Sequence, residues 1–113
     1  MKISINKQNK EQRELDDAFS TMIKSKGNWC CAICGTDYKV CCHHIIPREN
    51  KQYRYAEDNA IPLCLSHHKF SRILSAHNNP LAFFLWLQRF NTPLFIVATE
   101  RTKKMLEENG IKI

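Results

Sequence analysis

The chain has no long apolar run. Its most apolar stretch, residues 81–87, falls far short of the roughly 20 residues a membrane-spanning helix requires, so no membrane partner is expected. The opening MKISINKQNK is polar and lacks the apolar segment of a secretory leader. No internal repeat or low-complexity segment is visible. The middle of the chain is also poor in apolar side chains of its own. A small domain with so thin a core usually needs a staple, and a metal ion is one. The missing leader predicts a reducing cytosol.

The 113 residues suit one small domain, 1–113. Seventeen Lys and Arg against eleven Asp and Glu leave a net charge of +6, which favours a polyanionic partner, nucleic acid above all. Residues 31–68 hold five of the six cysteines and four of the five histidines. With no secretory leader expected, that concentration reads as metal ligation rather than disulfide pairing.

Around this stretch the pattern is of mixed α+β type. Leu15, Phe19, Met22 and Ile23 recur at helical spacing, which predicts an N-terminal helix over about 10–26, after a frayed, polar 1–9. Early Glu11, Glu14, Asp16 and Asp17 and late Lys24 and Lys26 suit its dipole, and Gly27-Asn28 should stop it. Residues 38–46 read as a strand ended by Pro47, and 58–63 as a second short strand. A helix over about 65–76 would complete a ββα unit within a zinc-bearing core of about 29–77. Asn79-Pro80 and Asn91-Thr92-Pro93 are helix starts, giving two C-terminal helices over about 80–109 with Gly110 as the final cap. Phe84, Leu85 and the Trp86/Leu87 pair are expected to pack on the N-terminal helix.

Two ligand sets emerge. Cys31 and Cys34 are spaced C-x2-C, and Cys64 and His67 repeat that spacing after 29 intervening residues. Two such pairs make a closed Cys3His tetrahedron, the donor set of a structural Zn²⁺, with Gly35 giving the knuckle its permissive backbone. Cys30 is a less suitable alternative to Cys31, and Cys41 and Cys42 read as small buried side chains on the first strand. The second set is His43, His44, Asn59 and His68. Neighbours on a strand face opposite ways, so His43 and His44 either serve different targets or a bulge turns both into one cleft. Neighbours on a helix diverge by about 100°, so His67 and His68 can serve different metals. An ion held by only one or two histidines would keep open positions for water and phosphate oxygens. Asn59 is placed to bond backbone across the loop and hold a histidine. His77, alone in a loop, reads as an ordinary histidine more than as a ligand.

The combination H-H-I-I-P, then E-D-N-A-I-P-L-C-L-S-H-H-K, resembles the HNH (His-Me finger, ββα-metal) nucleases, most closely their zinc-stapled branch. The likeness covers about 29–77. E-D-N…C-x-x-H followed by L-S-A-H is also similar to bacteriophage recombination nucleases of that superfamily, which implies the cytoplasm of a bacterium or a phage-infected host cell. The resemblance implies a small ββα-metal core with a structural zinc knuckle, flanked by an N-terminal helix and C-terminal helices. It implies that His44 is the general base, that Asn59 orients it, and that His43 and His68 bind a catalytic divalent metal. His67 stands where members of that branch usually have a fourth cysteine. The implied activity is DNA phosphodiester hydrolysis with His-activated water and one ion, Mg²⁺, Mn²⁺ or a transition metal such as Ni²⁺ or Zn²⁺. Arg48, Lys51, Arg54, Lys69 and Arg72 are the expected phosphate contacts on DNA. One active site cutting both strands calls for a homodimer or two sequential nicks, and the small surface of 113 residues calls for weak sequence specificity, a structure preference or a recruiting protein partner. A non-catalytic zinc-finger nucleic-acid-binding module would also explain the cysteines and the charge, but leaves the histidines and Asn59 without a task.

Overall fold

The computed structural model describes residues 2–112, with side chains from Asn9 onward. The fold is α+β: one two-stranded antiparallel sheet with helices on both faces. α1 is Lys2–Lys26, β1 Val40–His44, β2 Ala60–Cys64, α2 Pro80–Phe90 and α3 Thr92–Glu108. A short 3-10 turn, Glu57–Asn59, leads into β2, and one π-helical turn, Ser66–Phe70, leaves it.

α1 starts well before the expected position 10, because polarity alone does not break a helix. Its first turn therefore holds no acidic residue, and Glu11 to Asp17 lie mid-helix, beyond the reach of the dipole; only Lys24 and Lys26 sit as expected. Phe19 and Ile23 bury against Ala60 of β2, with Met22 and Cys42 at the margin, while Leu15 is exposed. The helix stops because Asn28 and Trp29 take left-handed backbone, φ 55° and 61°. Gly27 serves close approach instead: a Cβ there would lie 2.7 Å from Pro62 Cγ.

β1 and β2 pair without a bulge from Val40↔Cys64 to His44↔Ala60. Unbroken alternation gives each face its own core. One face carries Cys42, His44 and Ala60 toward α1. The other carries His43, Ile61 and Leu63 toward α2 and α3, where Phe83 and Leu87 are almost fully buried. Burying each of these two contributes about 1.5–3 kcal/mol. α2 thus packs on the sheet and α3 rather than on α1, and Phe84 and Leu85 are exposed. Asn79 and Asn91 cap α2 and α3 by accepting from Ala82 N–H and Leu94 N–H, each followed by the expected proline. Gly110, at φ 75°, closes α3.

The expected helix over 65–76 does not form beyond the π turn. Its backbone groups are claimed by short polar side chains. Ser71 Oγ accepts from Leu74 N–H, Ser75 Oγ donates to Ser71 carbonyl and accepts from Asn78 N–H, and Asn79 Nδ2 donates to Ile73 carbonyl. Such local bonds compete with helical ones. The chain instead folds back on the π turn, with Ala76 N–H donating to His67 carbonyl and His77 N–H to His68 carbonyl, each at 2.9 Å.

Candidate functional site

Cys31, Cys34, Cys64 and His67 converge, with all four ligand atoms within 4.8 Å of one another. The knuckle closes by Gly35 N–H donating to Cys31 carbonyl, with Gly35 at φ 77°, and Ile33 N–H reaches Cys31 Sγ at 3.4 Å. Cys34 Sγ to Cys64 Sγ is 3.8 Å, Cys64 Sγ to His67 Nδ1 is 3.4 Å, and Cys31 Sγ to His67 Nδ1 is 3.8 Å. A tetrahedral zinc with ordinary bond lengths sets its ligands about 3.8 Å apart for two sulfurs and about 3.5 Å for sulfur and nitrogen. The four residues therefore fit a metal such as zinc. Burial opposes ionisation of Cys31, but the N–H groups of Cys64, Cys34 and Ile33 and the His67 ring outweigh it and bring the thiol down to about 6. Burial keeps Cys64 raised. Cys30 turns away to the Asn28 carbonyl, and burial pushes Cys42 up to about 11, so neither joins the set.

A second cluster forms on the α2 face from His43, His68 and His77, again within 4.8 Å. His68 Nε2 and His77 Nε2 are 3.0 Å apart, and His43 packs edge-on against both rings and against Phe83. Nitrogens sharing one ion at bonds of about 2.0–2.1 Å stand roughly 3 Å apart, so this spacing also suits a common ligand. Burial lowers His43 to about 3 and, with the His77 ring beside it, His68 to about 4. Both rings are therefore neutral donors at ordinary pH, as ligation requires. His43 is buried and His77 exposed, so the cluster opens to solvent on one side. Among the described residues no carboxylate belongs to it. His68 Nδ1 is buried without a hydrogen-bond partner, whereas metal-bound histidines usually have one on the second nitrogen.

His77 is the residue sequence reasoning left out. Its only signal was the density of Ser and Asn over 71–79, which breaks the helix and carries His77 back to His68.

His44 lies on the opposite face of β1 from His43, its ring stacked on Phe19 at 5.4 Å. Its Nε2 sits 2.9 Å from the Arg54 carbonyl. A carbonyl only accepts, so Nε2 carries the proton and Nδ1 keeps the free lone pair. Burial lowers the His44 pKa, keeping the ring neutral. Asn59 makes no hydrogen bond to His44. It is 1% exposed, and its amide accepts from Ile46 N–H and donates to the carbonyls of Ile46 and Tyr53, while its own carbonyl takes Ile45 N–H. Asn59 thus pins both ends of the loop that supplies the carbonyl holding His44.

The five expected cations divide. Arg48, Lys51, Lys69 and Arg72 are exposed, and the Lys69 charge acts on His68. Arg54 differs: its Nε and Nη2 donate to both oxygens of Asp16, at 2.9 and 2.6 Å, which neutralises it. Among the described residues no helix is long and apolar enough to cross a membrane. Comparison of the chain with protein families, curated proteins and solved structures finds no match.

Proposed function

We propose that this chain is an HNH-type endonuclease that hydrolyses phosphodiester bonds in DNA with one divalent metal ion. The observation that carries the reading is the gathering of His43, His68 and His77 on one face of the sheet, with His44, the next residue of β1, turned to the opposite face and fixed in one tautomer. In this reading β1, β2 and the π turn play the part of the ββα-metal core, its helix shortened to a single turn. Cys31, Cys34, Cys64 and His67 hold a structural zinc, closed to substrate.

His44 Nδ1 accepts a proton from water, the oxygen attacks phosphorus, and the bond to the 3′ oxygen breaks. Arg54 carbonyl holds the protonated Nε2, and Asn59 fixes the loop that carries it. His43, His68 and His77 would hold a divalent ion, whose chemistry would be charge stabilisation at the phosphate and at the departing oxygen. The all-imidazole donor set favours Ni²⁺ or Zn²⁺ over Mg²⁺ or Mn²⁺. Arg48, Lys51, Lys69 and Arg72 contact backbone phosphates, which positions DNA without reading its sequence.

The test is plasmid nicking in Mg²⁺, Mn²⁺, Ni²⁺ or Zn²⁺. Wild type is expected to nick, and His44→Ala to be slower by about 10²–10⁴-fold while remaining folded. Equal cleavage by both removes His44 as base. Binding without cleavage in every metal favours the non-catalytic zinc module.

A further inference from the structure

Between α1 and the 45–56 loop lies a cleft of about 560 Å³, lined by Asn9, Gln12, Arg13, Asp16, Arg48 and Arg54. Three guanidinium groups share this space with one carboxylate, leaving two positive charges in excess (three Arg less one Asp). That carboxylate is already occupied. Asp16 accepts twice from Arg54 and once from Tyr55 O–H at 2.8 Å. Arg13 and Arg48 are exposed, and among the described residues neither side chain has a hydrogen-bond or ion-pair partner. The wall is rigid where it meets the catalytic side: Arg54 Nη1 donates to the Arg48 carbonyl at 3.1 Å, and the Arg54 carbonyl holds His44. The charges of Arg54, Arg48 and Asp16 all act on the His44 ring, so the cleft and His44 share one electrostatic neighbourhood.

A cation would find no free carboxylate here, and an apolar ligand no apolar wall. Forked guanidinium donors joined by the amides of Asn9 and Gln12 suit the oxygens of a phosphodiester. We infer that this cleft seats a backbone phosphate of the DNA strand next to the phosphate that is hydrolysed, which makes α1 part of the substrate surface. The inference rests on the nuclease reading above. It assigns Arg13 a contact that no local sequence signal marks, and leaves Arg54 as the brace of the cleft.

The test is fluorescence anisotropy with a labelled duplex oligonucleotide, in a His44→Ala background without added divalent metal, over a range of salt. Arg13→Ala and Arg48→Ala are each expected to weaken binding about 3- to 10-fold. Together they should flatten the dependence of log K on log salt by about one to two. Arg89→Ala on α2 serves as control and should bind as the parent does. Unchanged affinity and slope in the double variant overturn the inference, as does an equal loss from Arg89→Ala, which would mark a bulk charge effect. Unshifted thermal melts of these exposed-site variants separate binding from folding. A parallel nicking assay of wild type keeps the two readings apart. Cleavage with binding indifferent to Arg13 and Arg48 sinks only the cleft. Arg13- and Arg48-dependent binding without cleavage sinks only the nuclease.

Discussion

At the scale of single residues, the same side-chain type takes different roles according to its neighbours. Arg54 reads in sequence as a free cation near a phosphate site. In the structure its partner, Asp16, lies 38 positions away on α1, a distance no local spacing rule spans. The Arg54 guanidinium and Tyr55 O–H hold the Asp16 carboxyl below its ordinary value, against the opposing effect of burial. A depressed folded value means the unfolded chain binds the proton more readily. The stabilisation is therefore complete above the unfolded value near 4 and is lost as pH falls through the lower, folded value. Asp16→Asn should lower stability at pH 7 by about 1 kcal/mol. The gap between wild-type and variant melting temperatures should close as pH falls from about 5 to 2. A gap constant with pH would show that the ion pair contributes nothing.

At the scale of elements, what was legible in sequence was what local chemistry determines. Cys31, Cys34, Cys64 and His67 could be read as one set because ligand spacing is a local property and thiolate ligation is discrete. The caps at Asn79 and Asn91 were legible for the same reason. The segment after β2 was not, because its leucines and histidines fit a helix while Ser71, Ser75, Asn78 and Asn79 bond the backbone elsewhere. His77 was lost with that error. Gly27 shows a subtler case: it reads as a flexible stop, yet the left-handed turn falls on Asn28 and Trp29, and Gly27 is needed for the approach of Pro62. Gly27→Ala places a methyl 2.7 Å from Pro62 Cγ, inside contact distance, so α1 must shift on β2. The expected loss is about 1–3 kcal/mol, read by urea denaturation. A neutral or stabilising change, as an ordinary exposed helix-end Gly→Ala would give, would show that the α1–β2 junction yields without strain.

At the scale of the whole molecule, the two clusters meet at adjacent residues, His67 and His68, on one π turn. His67 faces the Cys3His set, and His68 faces His43 and His77. The return segment is tied to this turn through the carbonyls of the same two residues. Cys31 and Cys64 are also members of the main core, in one cluster with Leu63, Phe83, Leu87 and Ala98. Two members of the first metal set are thus part of the packing that joins the sheet to α2 and α3, and without a bound ion the thiols of Cys31 and Cys64 would stand unligated in a thin core. In small metal domains zinc affinity of roughly 10–16 kcal/mol is coupled to folding, as large as the roughly 5–15 kcal/mol total stability of a typical domain. Cys34→Ser, or a strong chelator applied to wild type, should therefore abolish the cooperative thermal transition and the near-ultraviolet signal of Trp86. Zinc added back after chelation should restore both. His68→Ala, one residue from the first set, should retain its zinc and its melt while losing divalent-metal binding at the histidine cluster. A folded, zinc-free Cys34→Ser protein would contradict the staple. Loss of zinc from His68→Ala would show that the two clusters are a single site rather than two sharing a turn.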